Sequence, residues 1–332
     1  MVEDARSFFA EAENPIEFDS IMSRPFKPIV CCGFTPCVQR IVEFAKLKKD
    51  EVNRAQKVTI GIGGKGANVA RMATQLGAKP ELVGFAGGAN GQLLEEMLTH
   101  EGVAFEHVQV EGETRICQTL LEAGNPESTE LVEEMPPISS KEWKRMAELF
   151  QSLELSGAWV PMAGKLPAGA PLDAYAQLAK IAAGQGGRVI LDAPGEPLLL
   201  ALEHKPFMVK INDSELLQTL GGDDLLAACG ELIERGAQSV LITRGSRTAF
   251  FVDKFQTLEI FPPKIEAVNP VGSGDAVTAG MAVELARGGT LAEVVATGMA
   301  CGAANALNLV SGLLKLEDVA RLRTAVRVEE IG

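Results

Sequence analysis

The chain has 332 residues, 46% of them apolar, and its 31 Lys and Arg against 44 Asp and Glu give a formal charge of −13. That balance excludes a generic nucleic-acid binder, whose phosphate affinity needs clustered cations, and the apolar fraction supports a sizeable core rather than extensive disorder. No run approaches the ~20 apolar residues of a membrane span, and the acidic start MVEDARSFFAEAENP lacks the basic-then-apolar order of a secretory leader, so a soluble, cytoplasmic protein with no membrane partner is expected.

Residues 1–27 read as an N-terminal extension, acidic and interrupted by Pro15 and Pro25. From Pro28 the pattern alternates. Short apolar or β-branched runs (PIVCCG at 28–33, ELVGFAG at 81–87, GAWVPMAG at 157–164, RVILDA at 188–193, FMVKI at 207–211, SVLITR at 239–244) are separated by helical segments. Runs without polar alternation predict strands buried on both faces, hence an α/β fold with a mostly parallel sheet flanked by helices. Ser139 with Glu142 and Asn212 with Glu215 make capping boxes for two of the helices. Val69, Met72, Ala73 and Leu76 give the helix over 66–76 an apolar stripe. The segments 276–286 and 291–309 are rich in small and apolar residues all round and predict buried helices. Two stretches, 38–60 and 107–134, alternate polar and apolar like half-exposed strands and predict a small second sheet. Six cysteines lie mostly on apolar runs without C-x-x-C spacing, which reads as reduced core thiols; Cys31 and Cys32, adjacent on a strand, point to opposite faces. Three histidines amid polar surroundings give little support for a His-based metal or nucleophile site.

Two glycine-rich turns carry chemistry. In GIGGKGANVARMATQLG (61–77), Gly63, Gly64 and Gly66 allow close backbone approach and the helix start offers free amides to an anion, with Lys65 and Asn68 beside them. Gly66 stands where a Walker A loop needs Ser or Thr, and Thr59 where it needs its first Gly. Gly61, Gly63 and Gly66 do fit the dinucleotide spacing, but the only acid at the right distance, Glu81, opens the next strand rather than closing it. A purely structural turn is the other alternative. In NPVGSGDAVTAGM (269–281), Gly272, Ser273 and Gly274 precede a helix begun by Asp275. This is either a helix cap or an anion cradle with a carboxylate able to take a hydroxyl proton.

Both loops resemble the signatures of the ribokinase-like (PfkB) carbohydrate kinases, nearest the 1-phosphofructokinase and tagatose-6-phosphate kinase branch. Further matches follow in order: GFAGGANG at 84–91, TRI at 114–116, PMAGKLPAG at 161–169, LDAPGEPL at 191–198 and KINDSELLQTLG at 210–221. The resemblance implies an ATP- and Mg2+-dependent kinase of a sugar phosphate, with Asp275 as general base and Gly272, Ser273 and Gly274 as anion hole. It implies Asn212 and Glu215 at the ATP phosphates, Glu215 holding magnesium through water. Thr243 and Gly245 fall at the nucleotide phosphates, and Asn305 and Asn308 near the adenine. Lys65 and Arg115 become candidate clamps for the substrate phosphate, with Gly63, Gly64 and Asn68 around the substrate. A kinase domain over 28–332 is implied, its segments 38–60 and 107–134 forming a β-sheet lid that pairs two subunits in a homodimer.

One departure bears on the substrate. Where the branch has N-P-A-x-D, this chain has Thr35-Pro36-Cys37-Val38-Gln39, a neutral amide replacing the sugar-binding carboxylate. Lys165 and Arg244 are also unusual and could add charge near a ligand. The alternatives are a kinase of an unphosphorylated sugar or a nucleoside, a sugar-phosphate- or nucleotide-binding regulator without turnover, and more distantly a dehydrogenase.

Overall fold

The computed structural model describes residues 26–124 and 128–331, so the expected extension lies outside the described residues except for Phe26 and Lys27. Those two belong to the fold: the Lys27 amide donates to the Ala286 carbonyl, and the Arg287 guanidinium lies over the Phe26 ring.

Strands numbered along the chain divide between two sheets. The larger holds β1 (Val30–Cys32), β4 (Glu81–Ala86), β5 (Ala104–Gln109), β8 (Trp159–Ala163), β9 (Arg188–Asp192), β10 (Met208–Asn212), β11 (Ser239–Arg244), β12 (Arg247–Asp253), β13 (Thr257–Phe261) and β14 (Arg327–Glu330). Their spatial order is β14-β13-β12-β11-β10-β9-β8-β1-β4-β5. The stretch from β11 to β5 is parallel throughout, and β12, β13 and β14 continue one edge antiparallel. All six expected apolar runs are parallel strands. Helices cover both faces, so adjacent strand residues enter different cores. Cys31 packs with the helices Lys65–Gln75 and Ser273–Ala286, and Cys32 with the helices Ser140–Ser152 and Ala174–Gly184.

The second sheet is β2 (Cys37–Phe44), β3 (Lys57–Gly63), β6 (Ile116–Glu122) and β7 (Ser128–Val132), in the order β3-β2-β6-β7. It comes from the two alternating stretches, with one correction: residues 107–109 belong to β5 of the main sheet, where they pair with β4 from Gly84 to Ala86.

Both expected capping boxes form, at Ser139–Glu142 and Asn212–Glu215. The helices Ser273–Ala286 and Leu291–Ala306 are buried almost throughout. They cross at Gly280, where a Cβ would lie 2.8 Å from Cys301 Sγ and 2.9 Å from the Thr297 carbonyl. Among the described residues no helix is long and apolar enough to cross a membrane.

Candidate active site

A cleft of about 520 Å3 opens between the main sheet and one face of the second. Asp192, Asn212 and Thr243 stand at or next to the carboxyl ends of β9, β10 and β11, where open α/β sheets bind their ligands. From the second sheet, Cys37, Gln39, Gly63, Cys117, Glu130 and Val132 line the cleft. The register explains that set: Cys37 opposes Gly63, Gln39 opposes Cys117, and Cys117 opposes Val132, so these residues share a face.

Both glycine turns end in helices at the cleft. The first must come close to β1, because a Cβ on Gly66 would lie 2.4 Å from the Gly33 Cα. That contact brings Lys65 and Asn68 to the cleft floor. In the second, Gly272 has φ +79° and caps the helix, with Asp275 in its first turn. The Ser273 amide donates to the Pro270 carbonyl at 3.1 Å, which leaves the following first-turn amides of Gly274 and Asp275 without an intrahelical acceptor.

A chain of charges joins the two turns. Asn68 Nδ2 donates to Asp275 Oδ2 at 2.8 Å. Lys65 Nζ and Lys210 Nζ donate to the two oxygens of Asp192, at 3.2 and 2.9 Å, and Lys65 lies 3.8 Å from Glu215. Lys210 also abuts the helix start, since a Cβ on Gly274 would be 2.7 Å from its Nζ. Burial and then the charge of Asp192 push the Asp275 carboxyl up to about 6, with Asn68, Lys65 and Lys210 pulling the other way. Burial acts against the Asp192 charge too, yet Lys210 and Lys65 hold that carboxyl below its ordinary range. Lys65 stays firmly charged: burial opposes its charge, and Asp192, Glu215 and Asp275 outweigh it. The floor can therefore hold anions and accept a proton.

Of the residues expected at a site, Gln39, Gly63, Gly64, Lys65, Asn68, Arg115, Asn212, Glu215, Thr243, Gly245, Gly272, Ser273, Gly274 and Asp275 all line this cleft. Two do not. Asn305 is fully buried, donating to the Val271 carbonyl and Ser273 Oγ and accepting from the Gly312 amide, so it braces the second turn from behind. Asn308 donates to the carbonyls of Ala304 and Leu313. Neither lines the cleft. Arg115 is partly committed, giving Nε and Nη2 to the Thr35 carbonyl and Nη1 to that of Glu133. Lys165 pairs with Glu134 on the surface and Arg244 with Asp213, and neither lines the cleft. The residues missed are Lys210 and Asp192. Their signal is a charge next to apolar strand residues, the Lys of FMVKI and the Asp of RVILDA, which is rarely buried without a partner.

Fold and site together define a ribokinase-like kinase. The chain belongs to the pfkB family of carbohydrate kinases, whose family model matches residues 29–311, and it is thus a phosphotransferase with an alcohol group as acceptor. Similar solved structures include Escherichia coli phosphofructokinase-2 in complex with fructose-6-phosphate, 28% identical with a TM-score of 0.82 over 90% of this chain and 98% of that one. The tetrameric inhibited form of the same E. coli enzyme is 29% identical with a TM-score of 0.82, over 90% and 98%. Arabidopsis thaliana ribokinase complexed with ribose and ATP, at 21% identity, shares the fold with a TM-score of 0.72 over 90% and 99%.

Proposed function

We propose that this carbohydrate kinase transfers the γ-phosphoryl group of ATP to a hydroxyl of a sugar phosphate, as a 1-phosphofructokinase or tagatose-6-phosphate kinase does. The observation that carries the chemistry is Asp275, a buried carboxylate oriented by Asn68 at a helix start flanked by the ammonium groups of Lys65 and Lys210. Asp275 takes the proton of the attacking hydroxyl. The amides of Gly274 and Asp275, the positive end of their helix, Lys65 and Lys210 stabilise the charge on the phosphoryl group in transit. Gly272 and Ser273 shape that turn. Asn212, Thr243 and Gly245 flank the ATP phosphates, while Gly63 and Gly64 let backbone approach the acceptor. Gln39 donates Nε2 to Thr119 Oγ1 at 2.9 Å, and its Oε1, which accepts from Cys37 Sγ at 4.0 Å, has a second lone pair for a sugar hydroxyl.

Magnesium suits this donor set. Mg2+ keeps several waters and needs only one or two carboxylates beside phosphate oxygens, and Glu215 is a partly exposed carboxylate at the cleft. Glu215 would hold it through water, where it would supply neutralisation of phosphate charge.

The sugar-phosphate reading is supported by Lys65 and Arg115 at the cleft and by similarity to E. coli phosphofructokinase-2, solved with fructose-6-phosphate. The second sheet serves as a lid that excludes water from the transfer, and its outer face pairs two copies of the chain. Gln39 favours a second reading, an uncharged sugar or nucleoside acceptor, because a neutral amide binds hydroxyls less strongly than a carboxylate. A panel of sugar phosphates, free sugars and nucleosides, read by ADP release, decides. We expect a hexose phosphate to give the highest kcat/KM, about a hundredfold above its free sugar, the worth of one or two charge-assisted contacts. A higher kcat/KM for an uncharged acceptor overturns the reading, and binding without ADP release from any acceptor favours a regulator.

A further inference from the structure

We infer that Thr278 is a positioning residue for the base: its hydroxyl ties the helix that carries Asp275 to the Asp192 carboxylate, and so holds Asp275 in register with the ammonium groups of Lys65 and Lys210. The inference rests on reading Asp275 as the base. Thr278 is fully buried, and its Oγ1 lies 3.2 Å from Asp192 Oδ2 and 3.2 Å from the Gly274 carbonyl oxygen. A threonine hydroxyl has one proton to give, so these two acceptors compete for it. The Gly274 carbonyl already receives the backbone amide of Thr278 within the helix Ser273–Ala286. Asp192 is a buried carboxylate, to which a hydrogen bond is stronger than to a neutral carbonyl. The proton therefore goes to Asp192.

Position along the helix gives that contact its meaning. Thr278 follows Asp275 by three residues, so both side chains leave the same face of the helix, with Cβ atoms about 5–6 Å apart. The Asp192 carboxylate gathers donors from three elements: Lys65 from the helix of the first glycine turn, Lys210 from β10, and Thr278 from the helix of the base. Among the described residues, Thr278 is the one donor that reaches this carboxylate from that helix. Lys210 abuts the same helix at its start, beside Gly274. After burial, the Asp192 charge is also what lifts the Asp275 carboxyl. The contact thus fixes where the base stands and how near it stands to the charge that tunes it. In-line transfer is sensitive to such placement, since a shift of about 1 Å can cost about a hundredfold in rate. A hydroxyl that only bonded back to the carbonyl four residues earlier would act on the helix and not on the chemistry, and the two roles give different kinetics.

The test compares Thr278→Val, which keeps the shape and removes the proton, with Thr278→Ser, which keeps the proton. ADP release is read at saturating ATP with the acceptor that gives the highest kcat/KM, and melting temperatures are taken alongside. In the Val chain we expect kcat and kcat/KM to fall together by about tenfold with both KM values unchanged, the signature of an interaction made in the transition state. The Ser chain should keep about half of the parent kcat or more, because it retains the donor. Where the Val chain does not fold, Thr278→Ala carries the same comparison.

A Val chain with parental kcat overturns the inference even if it melts lower, since the hydroxyl then supports only the helix. A Ser chain as slow as the Val chain overturns it too, because packing of the methyl group would be the cause, and so does a raised KM with unchanged kcat. In an Asp275→Asn background the loss from Thr278→Val should shrink to less than about threefold, because residues that act as one unit are not additive. An undiminished loss there places the effect elsewhere and overturns the inference. Near-normal turnover by Asp275→Asn alone instead defeats the base reading, whatever Thr278→Val does in the parent chain.

Discussion

Asp275 is the buried carboxylate on the cleft floor whose surroundings oppose its charge on balance, as the proposed role of base requires. Its carboxyl, ordinarily near 3.8, stands at about 6 through burial and the charge of Asp192. For the reaction, kcat/KM should fall tenfold per pH unit below about 6, as the base becomes protonated. For the fold the sign is opposite. A carboxyl raised in the folded state favours folding at low pH, and that contribution is lost as pH rises through 6. Asp275→Asn removes the charge that burial opposes and still accepts from Asn68. We expect it to lose about a thousandfold in kcat, within the usual range for a general base, while gaining about 3 kcal/mol of stability above pH 7 from a shift of about two pH units. ADP release and thermal melting at pH 8 check both. A variant that turns over near normally ends the base assignment, and one that melts lower at pH 8 contradicts the electrostatic account.

At the scale of elements, the eight-residue helix after β10 depends on its capping box. Asn212 Oδ1 accepts the Glu215 amide at 2.8 Å and Glu215 Oε2 accepts the Asn212 amide at 3.3 Å. Asn212→Ala should cost about 1 kcal/mol, free the Glu215 carboxylate, and raise the magnesium needed for half-maximal rate. Asn212→Asp, which keeps the cap, should restore the melting temperature; if it does not, the cap is not what Asn212 supplies. This box, the six central strands and both glycine turns were legible because their signals are local: continuous apolar runs, Ser or Asn three residues before Glu, glycine between a strand and a helix. The antiparallel edge was not legible, since β13 alternates buried and half-buried residues and β14 is mostly exposed, so neither shows a continuous apolar run. Lys210 and Asp192 were visible as isolated charges, but their pairing joins β10 to β9 and exists only in the sheet. Asn305 could be put on its helix from sequence but not on a face of it, and its amide turns to the loop at Val271.

For the whole molecule, a formal charge of −13 means that two copies repel unless they meet where acids are few. The outer face of the second sheet is such a surface. Val42 opposes Val58 and Arg40 opposes Ile60 on the side away from Gln39, and Leu131 alternates with Val132, which lines the cleft. Val58, Ile60 and Leu131 are about half exposed, an apolar patch that a pairing of lids would cover. Because the same four strands carry Gln39 inside and Ile60 outside, pairing at the outer face would also steady the inner one. We therefore expect a homodimer in sedimentation, which Ile60→Asp converts to monomer with unchanged secondary structure by circular dichroism. The monomer should show a raised KM for the acceptor and a smaller change in kcat, because the lid loses its support while Asp275, on the main sheet's side of the cleft, keeps its surroundings. A parent chain that sediments as a monomer, or an Ile60→Asp chain that remains dimeric, removes the lid face as the interface. An unchanged acceptor KM in a confirmed monomer would separate subunit pairing from acceptor binding.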